Sequence, residues 1–297
     1  MKRFLRHIVL FALPLLIVAA VTEFVAEAIP NSYTYKRDYI KQNGAQIQTL
    51  ILGSSNAYDG LNPSVLPKAF NLANSSQTLE DDYRLLSKYI DSMDSLKTVI
   101  VGLGYHSFGT TKEEHRRTYY TIYMDLYPRW PISKYSFEVC NPEMLVKKII
   151  KYAVSRDVTR CDSLGQRVGH TKEAAQSGIE WWNKDMLSLV ENDKLQIADC
   201  RLEIEENTRY LHDIVNLCNA HGVKPMIVLM PVMEKYKKRL PAEQIVLYQT
   251  VLQSLNGSAI CVDASEWEIP KDGWYNATHL TKEASVAFTN KLYKEIK

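Results

Sequence analysis

The chain begins with an apolar run. Three basic residues, Lys2, Arg3 and Arg6, precede an apolar stretch over residues 8–21, and the sequence stays mostly apolar to residue 29. A helix over residues 8–29 would be ~30 Å long, which matches the hydrocarbon core of a bilayer. Basic residues before such a run hold the amino terminus inside and send the remainder across the membrane. The pattern predicts a membrane segment within residues 1–30.

Two interpretations of this segment stay open. One is a retained anchor, with Glu23 and Glu27 near the outer headgroups. The other is a cleaved signal peptide, because the strictly apolar run is short and Ala26-Glu27-Ala28 resembles a cleavage site. Both interpretations place the residues after Pro30 outside the cytoplasm, either membrane-anchored or secreted, with residues 31–46 as a stalk.

Beyond residue 46, short apolar runs alternate with helical patterns. The predicted strands cover residues 49–52, 96–102, 224–230 and 259–262, and the predicted helices cover residues 83–89 with their flanks, 204–220, 241–255 and 281–296. Strands that alternate with helices predict a parallel, doubly wound α/β sheet with three layers, like flavodoxin, over residues 47–297. Active sites in such sheets lie beyond the carboxyl ends of the strands.

The pattern breaks down over residues 108–200. Short helical patterns and many aromatic residues predict an insertion that packs over the site. Its rings could form a carbohydrate-binding wall, or a small satellite core filled by large amphipathic side chains. The aromatic residues are Tyr119, Tyr120, Tyr123, Tyr127, Trp130, Tyr135, Trp181 and Trp182.

Composition narrows the class of protein. The 297 residues are 46% hydrophobic and 24% charged, which is typical of a globular protein with a sizeable core. A net charge of +2 does not suggest a polyanionic partner, so no nucleic-acid binding is predicted. The five cysteines form no Cys-x-x-Cys pair, so neither a zinc site nor a redox site is expected. No metal and no cofactor is predicted. Cys140 and Cys161 could bridge, and Cys261 is expected to be a buried free thiol.

Ser55 is the candidate nucleophile. It lies in Gly53-Ser54-Ser55, directly after the first predicted strand, where a glycine permits a sharp turn and a serine can project its hydroxyl. A serine needs a base to become a nucleophile. His279 follows the fourth predicted strand and precedes the last helix, so it is expected at the same edge of the sheet. The pair predicts acyl-enzyme chemistry, and the alternative is a simple turn with a helix-capping loop.

These residues resemble the SGNH/GDSL hydrolase superfamily. Its members follow a first strand with a Gly-x-Ser nucleophile turn, which Gly53-Ser54-Ser55 matches, and carry a final Asp-x-x-His block, which Asn276-Ala277-Thr278-His279 resembles. The branch that modifies cell-envelope polymers often has such a turn, sometimes on an amino-terminal anchor, as in D-alanyl-lipoteichoic acid and alginate acetylation proteins. The resemblance implies an acylated, chiefly acetylated, envelope glycan or another small ester as substrate, and a membrane-bound acyltransferase as a partner.

Two further family blocks provide donors for the oxyanion. Ser76 takes the place of the glycine in Asn-x-x-x-x-Gly, and His106 takes the place of the asparagine in Gly-x-Asn-Asp. The resemblance implies that the backbone N–H groups of Ser55 and Ser76, together with the His106 ring, hold the oxyanion. Asn74 and Tyr105, beside these positions, are the candidate substrate-binding residues.

The residue that orients His279 is open, because Asn276 stands where the family has aspartate. Asn276 could orient the ring through its amide oxygen, Asp272 could supply a carboxylate from the same loop, or a backbone carbonyl could complete a Ser-His dyad. The sequence predicts an extracytoplasmic serine esterase or O-acyltransferase. The alternatives are a catalytically inactive envelope protein that binds glycan or a membrane acyltransferase, and a nucleotide-binding protein.

Overall fold

A computed structural model describes the whole chain except residues 1, 110–113, 156–158, 175–189, 192, 196, 198 and 297. The chain divides into two compact units. The N-terminal unit comprises Met1–Asp38 and Glu113–Arg160, and the sheet unit comprises Tyr39–Lys112 and Cys161–Lys297. Trp181 and Trp182 of the predicted insertion lie outside the described residues.

The sheet unit is built on five parallel strands. They are β1 (Thr49–Gly53), β2 (Ala69–Asn71), β3 (Thr98–Leu103), β4 (Lys224–Leu229) and β5 (Ile260–Asp263). The strands lie in the order β2-β1-β3-β4-β5, and each neighbouring pair is parallel. Every residue of β1 is buried, as expected for a sheet covered on both faces. The predicted parallel α/β sheet is confirmed, and the three-residue β2 is a strand that the sequence pattern did not predict.

The described helices belong to both units. In chain order they are α1 (Lys2–Ala28), α2 (Ser32–Asn43), α3 (Ser55–Gly60), α4 (Leu79–Tyr89), α5 (Glu114–Tyr123), α6 (Pro142–Ser155), α7 (Arg201–Ala220), α8 (Glu234–Lys237), α9 (Ala242–Ser254) and α10 (Lys282–Ile296). In the sheet unit, α3 packs on α10 and α4 packs on α7. Right-handed crossovers place these two pairs on opposite faces, because the strand order changes direction at β1.

The reversal of strand order at β1 indicates where a ligand site is expected. β1 and β3 are neighbours in the sheet, yet the chain leaves β1 toward β2 on one side and reaches β3 on the other. A crevice forms outside the carboxyl ends of the strands at such a point. The core beneath it on the α3–α10 face is apolar and includes Ile51, Ala57, Leu61, Ile100, Met226, Val228, Phe288 and Leu292.

The N-terminal unit contains the apolar helix. Within α1, Arg6–Ala28 is long and apolar enough to cross a membrane as an anchor or to serve as a signal sequence. The residues predicted as a stalk form helix α2, which is followed by a 3-10 turn at Gly44–Gln46.

Several rings of the predicted insertion pack inside the N-terminal unit. Tyr33 stacks on Tyr119 with ring centroids 5.2 Å apart and meets Tyr120 edge-on at 5.1 Å. Tyr120, Tyr123 and Tyr127 are buried. Of the two alternatives for the aromatic residues, the satellite core describes these tyrosines, since buried rings cannot line an open wall.

All five cysteines are free thiols. The bridge considered between Cys140 and Cys161 is therefore not formed. Cys261 is a free thiol, as expected, but it is only partly buried, whereas Cys218 in α7 is fully buried.

Candidate active site

A glycine turn carries Ser55 beyond the end of β1. Gly53 has φ +125°, and a Cβ on it would lie 2.4 Å from the carbonyl oxygen of Gly102 on β3. No residue with a side chain fits that position, because both the backbone angle and the space exclude a Cβ. Ser54 then occupies the N-cap position of α3, and Ser55 is the first residue of that helix.

Asp82 of α4 stabilises this turn through a hydrogen bond to its backbone. Its Oδ1 accepts a hydrogen bond from the backbone N–H of Gly53 at 2.9 Å and another from Gln77 Nε2. The carboxyl group is fully buried, and this burial raises the pKa of Asp82 to about 7. Asp82 is a support of the nucleophile turn that the sequence motifs did not indicate.

The raised pKa of Asp82 predicts a pH-dependent stability. The folded protein keeps a proton that the unfolded chain loses above the ordinary aspartate pKa of 3.8. The contribution of Asp82 to stability is therefore full below that pH and is lost as pH rises through about 7. Asp82→Asn is therefore expected to gain stability relative to the unmodified protein as pH rises. Thermal melts of both proteins at about pH 5 and about pH 8 measure the change.

The matched control for this prediction is Asp272→Asn. Asp272 is exposed and its hydrogen bond with Lys172 lowers the pKa of its carboxyl, so it is ionised in both states across that range. It should show no relative gain with pH. An equal pH trend in the two variants would contradict the assignment to Asp82.

Ser55 and His279 meet at hydrogen-bonding distance. Ser55 Oγ lies 2.8 Å from His279 Nε2. Asn56, the next residue along the chain, donates from Nδ2 to the carbonyl oxygen of Thr278 at 2.7 Å. This buried bond ties the loop that carries His279 to the turn that carries Ser55, which fixes the distance between the two reacting groups.

Asn276 orients the imidazole of His279. Its Oδ1 accepts the backbone N–H groups of Thr278 at 3.0 Å and His279 at 2.9 Å, and it lies 2.9 Å from His279 Nδ1. The two backbone donors require the amide oxygen, not the nitrogen, to face them. The same oxygen can accept only a proton-bearing Nδ1, so Nε2 is left with a lone pair that faces Ser55. Asn276 therefore sets the tautomer in which His279 can act as a base.

Asp272 does not take this role. Its carboxylate is exposed and forms an ion pair with Lys172 at 2.6 Å. Among the alternatives open from the sequence, the structure places Asn276, and also Thr278 Oγ1 at 3.0 Å, beside Nδ1 of His279. A 3-10 turn at Lys271–Gly273 directs Asp272 to the solvent.

His279 is uncharged at neutral pH. Burial is the main cause that lowers its pKa, to about 4, and the charges on Arg167 and the rings of His170 and His106 act in the same direction. The carboxylate of Asp59 opposes them, because a negative charge favours the imidazolium. A neutral imidazole with a free Nε2 can accept the proton of Ser55.

A buried carboxylate that the sequence did not reveal lies beside the base. Asp59 Oδ2 is 3.7 Å from His279 Nε2, and the Asp59 side chain is 1% exposed. Arg167 pairs with it at 2.9 Å and His170 Nδ1 lies 3.2 Å away. His170 also stacks on the ring of Tyr275, with centroids 3.7 Å apart. Asp59 follows Ser55 by one helical turn of α3, and that spacing is the sequence signal that could have pointed to it.

Asp59 supplies the negative charge that Asn276 lacks, so its removal is expected to slow proton transfer. In Asp59→Asn, the guanidinium of Arg167 is no longer balanced, and the imidazolium that forms on His279 is less stable. We expect ester turnover to fall by about 10²-fold and its acid limb to move to lower pH. Steady-state kinetics from acid to neutral pH measure both effects.

The double variant Asp59→Asn/Arg167→Gln controls for the unbalanced cation. It removes both charges together, so it should recover part of the rate and return the acid limb toward its original position. A loss of activity without any shift of the pH profile in the single variant would mean that Asp59 is a structural residue only.

The predicted oxyanion residues surround the turn. Ser76 has φ +54°, in the left-handed region where residues other than glycine are uncommon. The backbone N–H of Asn74 donates to the carbonyl oxygen of Gly53 at 3.2 Å, which brings this loop against the nucleophile turn. Asn74 Oδ1 accepts from the N–H of Ser75 at 3.0 Å, so its side chain supports the loop. Ser76 thus holds a backbone angle that favours glycine, in a loop packed against the nucleophile turn.

His106 contacts the other serine of the turn. Its Nε2 lies 3.1 Å from Ser54 Oγ, and its Nδ1 lies 4.0 Å from Asp193 Oδ1. Tyr105 is buried, and its ring packs on Tyr248 with centroids 5.1 Å apart. The substrate-binding role predicted for Tyr105 is not supported, because its side chain is part of the core under the site.

Comparisons with known proteins find similarity among solved structures. No protein-family model matches the sequence, and no curated protein matches it significantly. A protein assigned as an acylhydrolase, from Bacteroides fragilis, is similar over 87% of this chain and 93% of its own, with 10% identity and a TM-score of 0.42. A GDSL-like lipase from Bacteroides thetaiotaomicron is similar over 89% of this chain and 97% of its own, with 8% identity and a TM-score of 0.43. Similarity at this level leaves the chemistry to be argued from this chain's own residues.

No cluster of three or more His, Cys, Asp or Glu side chains suited to a metal ion occurs in the part of the chain that the structure describes. The cluster around Ser55 combines a hydroxyl, a neutral imidazole, an amide and a buried carboxylate. That set can transfer a proton and form a covalent bond to an acyl carbon.

Proposed function

We propose that this protein is a serine esterase or O-acyltransferase in which Ser55 is the nucleophile and His279 is the general base. The observation that carries the proposal is the 2.8 Å contact between Ser55 Oγ and the Nε2 of an imidazole whose Nδ1 faces Asn276. Both contacts lie within hydrogen-bonding reach without any substrate, which is the geometry that nucleophilic catalysis requires.

The chemistry follows from these positions. Ser55 Oγ attacks the carbonyl carbon of an ester while its proton passes to Nε2 of His279. The tetrahedral intermediate collapses, the bond to the alcohol breaks, and the imidazolium returns the proton to the departing alkoxide. Water or a sugar hydroxyl then attacks the acyl group on Ser55 and gives its proton to His279. The bond from the acyl carbon to Ser55 Oγ breaks, His279 returns the proton to Ser55 Oγ, and the acid or a new ester is released. Backbone N–H groups around Ser55 and Ser76 are the proposed oxyanion donors.

The proposed substrate class is an acyl ester, chiefly acetyl, of a cell-envelope glycan. Its support is the resemblance of the Gly53-Ser54-Ser55 turn to the envelope branch of the SGNH/GDSL proteins, together with an amino-terminal helix apolar enough to cross a membrane. We also propose that α1 is retained as an anchor and that the rest of the chain lies outside the cytoplasm, since Lys2, Arg3 and Arg6 precede the apolar run. A membrane acyltransferase is the proposed partner if the reaction is transfer.

A fluorophosphonate probe tests the proposal most directly. Incubation of the full-length protein in detergent is expected to give an adduct on Ser55, located by peptide mass spectrometry. Ser54→Ala should still be labelled at Ser55, and heat-unfolded protein should not be labelled. Absence of the adduct in folded, unmutated protein would instead favour a non-catalytic protein that keeps the fold.

A further inference from the structure

Helix α6 of the N-terminal unit carries a buried apolar residue and, beside it, an exposed apolar stripe. Leu145 is buried on the face that packs within the unit. Val146, Ile149, Ile150 and Val154 are exposed, and their spacing of three and four residues places them on one adjoining stripe. Lys147 is exposed on the remaining side. An exposed apolar stripe with a basic edge is the pattern of a helix that lies in a membrane interface.

A second exposed apolar group lies in the loop before α6. Trp130 is 76% exposed and Ile132 is 63% exposed. These two residues and the four exposed residues of α6 are called the apolar face below. Lone exposed apolar residues are ordinary on a protein surface, but six large ones within one small unit mark an interaction site.

Both parts of the apolar face are attached to the end of α1. Arg129, next to Trp130, pairs with Glu27 at 2.8 Å. Lys148, between Val146 and Ile149, donates to the carbonyl oxygen of Ala26 at 2.7 Å. The last turns of α1 are therefore hydrogen-bonded both to the loop that carries Trp130 and to α6.

The same turn of α1 exposes apolar side chains. Glu23 accepts the backbone N–H groups of Glu138 and Val139 at 2.9 Å each on one side of the helix. Phe24 and Val25 are exposed on the remaining side. Ala26, to which α6 is attached, directly follows these two residues. A bilayer that covers Phe24 and Val25 therefore extends to the depth of that attachment.

These contacts also bear on cleavage at Ala26-Glu27-Ala28. Removal of residues up to Ala28 would take away one acceptor of the buried Lys148 ammonium, which would keep its ion pair with Glu138, and the carboxylate partners of Arg129 and of two backbone N–H groups. Loss of several partners of partly buried polar groups at once is destabilising. The N-terminal unit is complete only with α1 in place.

We propose that the apolar face lies in the interface of the same bilayer that α1 spans, with the side chains of α6 at the boundary between headgroups and acyl chains. Tryptophan is the residue that such interfaces favour, and Trp130 lies at the required level. Residues 113–160 contain nine basic and six acidic residues, so the segment carries a positive charge that suits anionic headgroups. The proposal is independent of the catalytic chemistry and rests on the retention of α1.

Fluorescence quenching by brominated lipid tests this placement. The full-length protein is placed in nanodiscs of phosphatidylcholine with a minority of phosphatidylglycerol, with or without bromine on the acyl chains. In a Trp130→Phe background, Ile150→Trp introduces a reporter on α6. Leu202→Trp is the matched control, because Leu202 is an exposed apolar residue of α7 in the sheet unit. Intact mass first establishes that α1 is present.

We expect the emission added by Ile150→Trp to be blue-shifted and strongly quenched by brominated lipid, and that of Leu202→Trp to be unaffected. The fluorescence that Trp130→Phe removes should be fluorescence that brominated lipid quenches in the unmutated protein. An unquenched Ile150→Trp reporter would overturn the proposal, whether the face is open to water or covered by a second protein. A mature protein that has lost α1 would overturn it as well, and neither result depends on whether Ser55 is reactive.

Discussion

Ser55→Ala is expected to abolish ester turnover while leaving the fold intact. The hydroxyl that contacts His279 Nε2 at 2.8 Å is the only group the substitution removes, and α3 tolerates alanine at its first turn. Loss of the nucleophilic serine lowers kcat by about 10⁶-fold in a well-studied serine protease. Hydrolysis of an aryl acetate and of an acetylated oligosaccharide by purified full-length protein measures the loss.

Ser54→Ala is the matched control, since the two serines are adjacent in the same turn. Ser54 Oγ is buried and contacts His106, not His279. Removal of the Ser54 hydroxyl should reduce the rate far less than removal of the Ser55 hydroxyl. The small loss would arise because the His106 ring loses its hydrogen bond to Ser54 and is held less firmly. Equal losses in the two variants, or activity that survives Ser55→Ala, would exclude Ser55 as the nucleophile.

Asn276→Asp is expected to raise activity and to move its pH dependence. A carboxylate at this position can accept the same three N–H groups from Thr278 and His279, so the orientation of the ring is kept. Its charge would stabilise the imidazolium, and the reverse change in a triad costs about 10⁴-fold in rate. We expect a gain of at most about 10⁴-fold in rate, and the gain should be smaller than this because Asp59 already supplies part of the negative charge.

The direction of the pH shift follows from the pKa of His279. The reaction requires neutral His279, whose pKa is lowered to about 4, so activity of the unmutated protein should persist in acid until about that pH. A negative charge beside Nδ1 raises the pKa of His279, and the acid limb of Asn276→Asp should therefore lie at higher pH. Asn276→Ala, which removes the acceptor, should lose activity without that shift. An unchanged profile in Asn276→Asp would mean that His279 is not the base.

The sequence predicts the sheet well because its signals are local. Apolar runs bounded by glycine and proline identify four of the five strands, and the alternation with helices requires parallel pairing. β2 is not predicted from the sequence because its three residues are too few to show an apolar pattern. The same reasoning places Ser55 and His279 at one edge, and the distance between them depends on contacts such as Asn56 to Thr278 that join residues far apart in the chain.

The buried charges around the site could not be predicted in this way. Asp59 lies within a short helix and has no motif of its own, and its partners Arg167 and His170 come from a stretch with no regular pattern. Tyr105 looks like a site residue by its position after β3, yet its ring turns into the core. Which side of the backbone a polar residue faces is decided by the packing of distant segments, and a single sequence does not record it.

The hydrogen bond between Lys148 and Ala26 has a consequence for the order in which the chain matures. The carbonyl oxygen of Ala26 obtains this partner only after more than a hundred further residues have been made, because α6 lies that far along the chain. Strands β1, β2 and β3 are synthesised in that interval. The carboxylates of Glu23 and Glu27 obtain their partners from residues 129–139, so until then they must stay in water or at the headgroups. A chain truncated before residue 129 should therefore expose the end of α1 to quality-control proteases.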